Sequence, residues 1–145
     1  MTYRPVPRFS LGLEWNPKAE SGSPLANWLA VPEKKRRPAV IFGTSSDRIG
    51  TPDGQAYYVT LSKDLSAVTR WPISPYVGAA YGTYEDKLRA IGGMRIRLPA
   101  NFASTLIYDG VHLHPTLEYR FRDRHVFTLL AVAAEDLGVS YSIAF

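Results

Sequence analysis

The sequence contains no cysteine, which excludes a disulfide framework, a thiolate nucleophile and Cys-ligated zinc or iron–sulfur centres. It also lacks any continuous apolar run of about 18 residues. The opening MTYRPVPRFS has no apolar core region, so neither a membrane helix nor a signal peptide is read from the numbered chain. An excess of one charge is missing too, since 17 Lys and Arg meet 13 Asp and Glu for a net +4. The one dense basic run, Lys34-Lys35-Arg36-Arg37, lies between Pro32 and Pro38 without interleaved aromatics, which predicts a solvated turn or a lipid-headgroup contact and no nucleic-acid partner. Gly43 to Gly50 has spaced glycines and hydroxyls but no Walker lysine, and predicts a loop.

What is present is a folded composition. With 145 residues and 46% hydrophobic content, the chain predicts a single domain over 1–145. Alternation dominates it. In Leu137 to Phe145, Leu137, Val139, Tyr141, Ile143 and Phe145 alternate with Gly138, Ser140, Ser142 and Ala144. Val111 to Phe121 sets Val111, Leu113, Leu117 and Tyr119 against His112, His114, Glu118 and Arg120. Phe9 to Trp15 opposes Leu11 and Leu13 to Gly12 and Glu14, and Leu88 to Leu98 opposes Met94 and Ile96 to Arg95 and Arg97. Such a period of two is that of a two-faced strand.

Further candidates are Ala26 to Val31, Pro38 to Thr44, Ala56 to Ser62, Tyr76 to Thr83, Phe102 to Tyr108 and His125 to Ala133, for about ten strands in all, with eight the other possibility. Asp109-Gly110, Pro99-Ala100-Asn101 and Arg122-Asp123-Arg124 read as hairpin turns. Leu61 to Val68 has room for one helical turn before Trp71-Pro72 and Ser74-Pro75 end it. Short links and a faint repeat of hairpin patterns predict an all-β antiparallel meander, and an even count suits closure of an up-and-down barrel. A greasy face set against a small, polar one suits a barrel in lipid, with the small residues in the lumen.

The C-terminal pattern Leu137, Tyr141, Phe145 resembles the terminal assembly signal of Gram-negative outer-membrane β-barrels. More weakly, LEWNPK, IYDG, LEYRF and LGVSYSIAF resemble the hairpins of YjbH-type small barrels. The resemblance implies a transmembrane, porin-like fold in the outer membrane, contact with membrane lipid, delivery by the barrel-assembly machinery through the C-terminal strand, and an envelope protein as a further partner.

On this reading Leu11, Leu13, Leu113, Leu117, Tyr119, Leu137, Val139, Tyr141, Ile143 and Phe145 face lipid. Glu14, Arg95, Arg97, Asp109, His112, His114, Glu118 and Arg120 form a lumen network, with Arg95 and Arg97 pairing to Glu118 first. His112 and His114 share a face but lack a third ligand, so no metal and no cofactor is expected. His125, Ser140, Ser142 and Glu118 are ingredients of acid–base chemistry without a nucleophile elbow or oxyanion signature, so no enzyme is expected either. The expected role is a structural or accessory envelope barrel with a filled lumen. A narrow channel for small solutes, a soluble lipid-binding β-barrel and a subunit of a larger β assembly are the alternatives.

Overall fold

The computed structural model describes residues 2–6, 8–16, 21–48, 51–122, 125–133 and 136–143, with backbone alone at 2–6, 14–16, 21, 132, 136, 140, 142 and 143. Eleven strands form one antiparallel sheet whose spatial order is the chain order. They are β1 (Thr2–Val6), β2 (Phe9–Asn16), β3 (Ser21–Val31), β4 (Ala39–Ser46), β5 (Gln55–Ser62), β6 (Ile73–Gly82), β7 (Lys87–Arg97), β8 (Phe102–Tyr108), β9 (Leu113–Phe121), β10 (His125–Val132) and β11 (Asp136–Ile143). A single helical turn, α1 (Ser66–Thr69), precedes β6. Pro75 lies inside β6 rather than ending an element. No helix among the described residues is long and apolar enough to cross a membrane.

The strand count corrects the barrel expectation. Eleven strands alternating in direction leave β1 and β11 running the same way, so the antiparallel pairing that closes an up-and-down barrel does not form between them. Among the described residues β1 pairs with β2 and β11 with β10, and the order has two ends. The fold is therefore an open antiparallel sheet and not a transmembrane, porin-like barrel of ten or eight strands. Among the described residues the strand order does not close on a lumen, and the roles of envelope barrel, narrow channel and lipid-binding barrel go with it. Open edges carry unpaired backbone N–H and C=O groups, which hydrocarbon cannot satisfy. The outer-membrane location, membrane lipid, the barrel-assembly machinery and an envelope partner all presupposed closure and are withdrawn, as is the resemblance to outer-membrane and YjbH-type barrels.

The extra strand is β1, which carries Pro5 and shifts register between Tyr3 and Val6. Proline and an irregularity are common at a sheet edge, where they blunt pairing with other chains.

The chain divides into two compact units, residues 1–63 with 77–91, and residues 64–76 with 92–145. In the first, Tyr58 of β5 lies over Gly43 of β4, where an added Cβ would come within 2.4 Å of the ring. The Tyr58 hydroxyl donates to Asn27 Oδ1 at 2.6 Å. Asp47 joins two turns, accepting from its neighbour Arg48 N–H at 2.6 Å and from Tyr84 N–H at 2.9 Å.

In the second unit Tyr76 of β6 covers Gly93 of β7 in the same manner, and a Cβ there would also sit 2.3 Å from the Leu106 carbonyl. The Gly92-Gly93 step thus permits close packing by an aromatic ring. Burial pushes the Tyr76 phenol up. The β8–β9 turn places Gly110 at φ 97°, while Asp109 Oδ1 accepts from the N–H groups of Val111 and His112, each at 2.8 Å.

Candidate interaction face and polar network

Because side chains alternate across a strand, register assigns the paired residues of β8, β9, β10 and β11 to one of two faces. On one, Phe102 aligns with Tyr119, Tyr119 with Phe127, and Phe127 with Tyr141, giving an aromatic row across β8, β9, β10 and β11. Ring centroids are 4.8 Å apart for Phe102 and Tyr119 and 5.1 Å apart for Phe127 and Tyr141. Beside it runs an aliphatic row of Leu117, Leu129 and Val139. A depression of about 140 Å³ opens between the rows, lined by Phe102, Leu117, Tyr119, Phe127, Thr128, Leu129 and Val139.

This face is exposed. Leu137 and Val139 retain 85% and 77% of their accessible area, and Leu113, Leu117 and Tyr141 are also exposed, with Tyr119 half-buried. In the first unit Leu11 and Leu13 of β2 are exposed, and Trp28 stacks on Phe42 at 5.9 Å on the same apolar face as one another. Ile143 aligns with His125 through the backbone; its side chain, and Phe145 altogether, lie outside the described residues. The only buried apolar side chains among the described residues are Ala39, Ala56 and Ala103. Large apolar groups are thus gathered where a water-soluble sheet would place polar ones.

The opposite face carries the polar set. His114 is fully buried at 0% exposure. Its Nδ1 accepts the Ala133 N–H at 3.0 Å, which leaves the proton on Nε2, donated to Asp109 Oδ2 at 3.0 Å. Burial pushes the Asp109 carboxyl up, but the His112 N–H, the His114 ring and the Val111 N–H outweigh it and hold the group below its ordinary range. His112 is exposed and meets His114 edge-on at 6.3 Å. With both His114 nitrogens occupied, the pair is poorly disposed to hold a metal, and among the described residues no group of three or more His, Cys, Asp or Glu is placed to do so.

Further along, Arg95 of β7 reaches over β8 to Glu118 of β9 through two hydrogen bonds of 2.6 Å. Ala103 and Thr105, the β8 residues aligned with Arg97 and Arg95, are small enough to let the fork pass. Glu118 raises the Arg95 guanidinium further above its ordinary value. Arg97 instead pairs with Asp64 at 2.8 Å. Asp64 was not a sequence candidate; its local signal is the Asp-x-Ser spacing that lets it accept from Ser66 N–H at 2.8 Å. The Ser66 hydroxyl and N–H, with Arg97, lower the Asp64 carboxyl to about 2. Glu14 aligns with Ser23, its side chain outside the described residues.

Arg95, Arg97, Glu118 and Arg120 converge on a cavity of about 560 Å³ that is also lined by Leu98, the Ala100-Asn101 turn, Phe102 and Ala103. Comparison with protein-family models, curated proteins and solved structures finds no match. His125 lies on the apolar face, Nδ1 2.6 Å from the Tyr141 hydroxyl, whereas Glu118 lies on the polar face. The sheet itself separates these two ingredients of acid–base chemistry, and the Ser140 and Ser142 side chains fall outside the described residues.

Proposed function

We propose that this chain is a non-enzymatic structural subunit that assembles with a second copy of itself through the apolar face of its second unit. The observation that carries this reading is the exposure of the Leu117, Leu129, Val139 row beside the aromatic row and its depression. A two-fold contact needs one patch that is complementary to itself. This patch carries both projecting side chains and a hollow of about 140 Å³, close to the size of an apolar cavity that accepts a benzene ring.

Surface area favours a large contact. The chain exposes 10071 Å², whereas a folded monomer of 16.2 kDa exposes roughly 7,500 Å². An excess of roughly 2,500 Å² per copy, about 5,000 Å² for a pair, lies at the upper end of what obligate interfaces bury in total. The two sheet ends favour a protein cover over hydrocarbon, because water or another protein satisfies open edges and lipid does not.

Leu117→Asp and Leu129→Asp place a carboxylate at the centre of the patch and test the reading. Gel filtration with light scattering is expected to show loss of the oligomer in both variants, while Leu88→Asp, outside this patch, leaves it intact. Retention of the wild-type mass in both central variants overturns the proposal.

A further inference from the structure

The arginine-lined cavity on the polar face holds more positive charge than its carboxylates balance. Three arginines line it against one glutamate. Glu118 occupies both terminal nitrogens of Arg95, and Asp64 takes one nitrogen of Arg97 from outside the lining. Arg120 pairs with no carboxylate among the described residues, although its backbone is fixed by a 3.0 Å hydrogen bond from its N–H to the Asn101 carbonyl. The Asn101 and Ala100 turn that forms this wall is held in the left-handed region, at φ 64° and 56°. The cavity thus combines a turn with left-handed backbone, an ion pair satisfied between Arg95 and Glu118, and guanidinium donors that have no acceptor among the described residues.

We propose that this cavity binds a small organic molecule through an oxyanion, a phosphate or a carboxylate, held between Arg120 and the remaining nitrogens of Arg97. A guanidinium presents planar forked donors that match such groups two bonds at a time. Glu118 is neutralised by its paired hydrogen bonds to Arg95, which leaves Arg97 and Arg120 for the anion. Ala103 and the Leu98–Phe102 turn line the rest of the cavity, and about 560 Å³ lies within the range of small-molecule sites. The arginines that hold the anion all lie on the polar face, so the proposal does not depend on assembly through the other.

Calorimetric titration of the full chain with inorganic phosphate, glucose 6-phosphate and glucuronate tests it and separates the two sources of the anion. Saturable one-site binding of at least one probe is expected, with Arg120→Gln weakening it tenfold or more and Arg97→Gln weakening it as well. Arg120→Lys, which keeps the charge but loses the fork, is expected to fall between Arg120→Gln and the wild type. Arg70→Gln, outside the cavity, is expected to leave the affinity unchanged. Failure of all three probes to bind overturns the proposal, as does equal weakening by Arg70→Gln and Arg120→Gln, which marks a diffuse charge effect. Circular dichroism on each variant verifies that the sheet is retained before its affinity is compared.

Discussion

Arg95 and Glu118 sit on strands two apart and are joined by a pair of 2.6 Å hydrogen bonds that cross the small residues of β8. The guanidinium retains 35% of its side-chain exposure and the carboxylate 21%, so solvent screens part of the attraction. Glu118→Gln is expected to cost about 1 kcal/mol in urea denaturation. Ala103→Leu is expected to disturb the same contact by filling the path beneath it, and a double-mutant cycle between the two changes should show coupling rather than additivity.

The buried Asp109–His114 contact predicts a larger effect. His114→Leu leaves the Ala133 N–H and one Asp109 oxygen without their partner, at an expected cost of about 2–3 kcal/mol. The acid limb has a defined sign as well. Because folding lowers the Asp109 carboxyl, its contribution is full above the unfolded value, about 3.9, and is lost as pH falls through the folded value. Denaturation midpoints measured from pH 6 downward should therefore drop less steeply in Asp109→Asn than in the wild type.

Asp64 is held low by two neighbours. Its value of about 2 arises first from Ser66 and then from Arg97. Ser66→Ala, which removes the hydroxyl bond and keeps the N–H bond, and Arg97→Gln, which removes the guanidinium and its charge, are each expected to raise the Asp64 carboxyl, as read by NMR titration of its side-chain carbon. An unchanged value in either variant contradicts that assignment.

Two glycines predict opposite outcomes for the same substitution. Gly93→Ala drives a methyl against the Leu106 carbonyl at 2.3 Å and the Tyr76 ring at 2.6 Å, which should cost about 1–3 kcal/mol. Gly138→Ala meets nothing nearer than 3.7 Å and should change stability by no more than about 0.5 kcal/mol. Denaturation of both variants at one protein concentration provides the comparison.

The faces of the sheet were legible because a period of two is a local property. Leu117 and Tyr119 against Glu118 and Arg120 separate by parity alone, and β8 occupies the segment its alternation predicts, Phe102–Tyr108. Strand number was not legible to the same degree. Thr2–Val6 carries a proline and Ser21–Leu25 is rich in Ser, Gly and Pro, so neither has strand propensity, yet both are strands by pairing with β2. Closure depends on that count, and one unseen strand reverses the direction of the edge. The Arg97 partner was hidden for a related reason: Asp64 lies 33 residues away, in the connection before α1, and no periodic pattern links the two positions.

Sedimentation velocity of the full chain in detergent-free buffer, over a hundredfold range of concentration, tests the central claim most directly. Assembly through the apolar face predicts a folded species of at least twice the chain mass that dissociates on dilution, and that Leu117→Asp shifts toward the monomer at every concentration. A folded monomer throughout that range, or a chain that becomes monodisperse only as a monomer in detergent micelles, contradicts it.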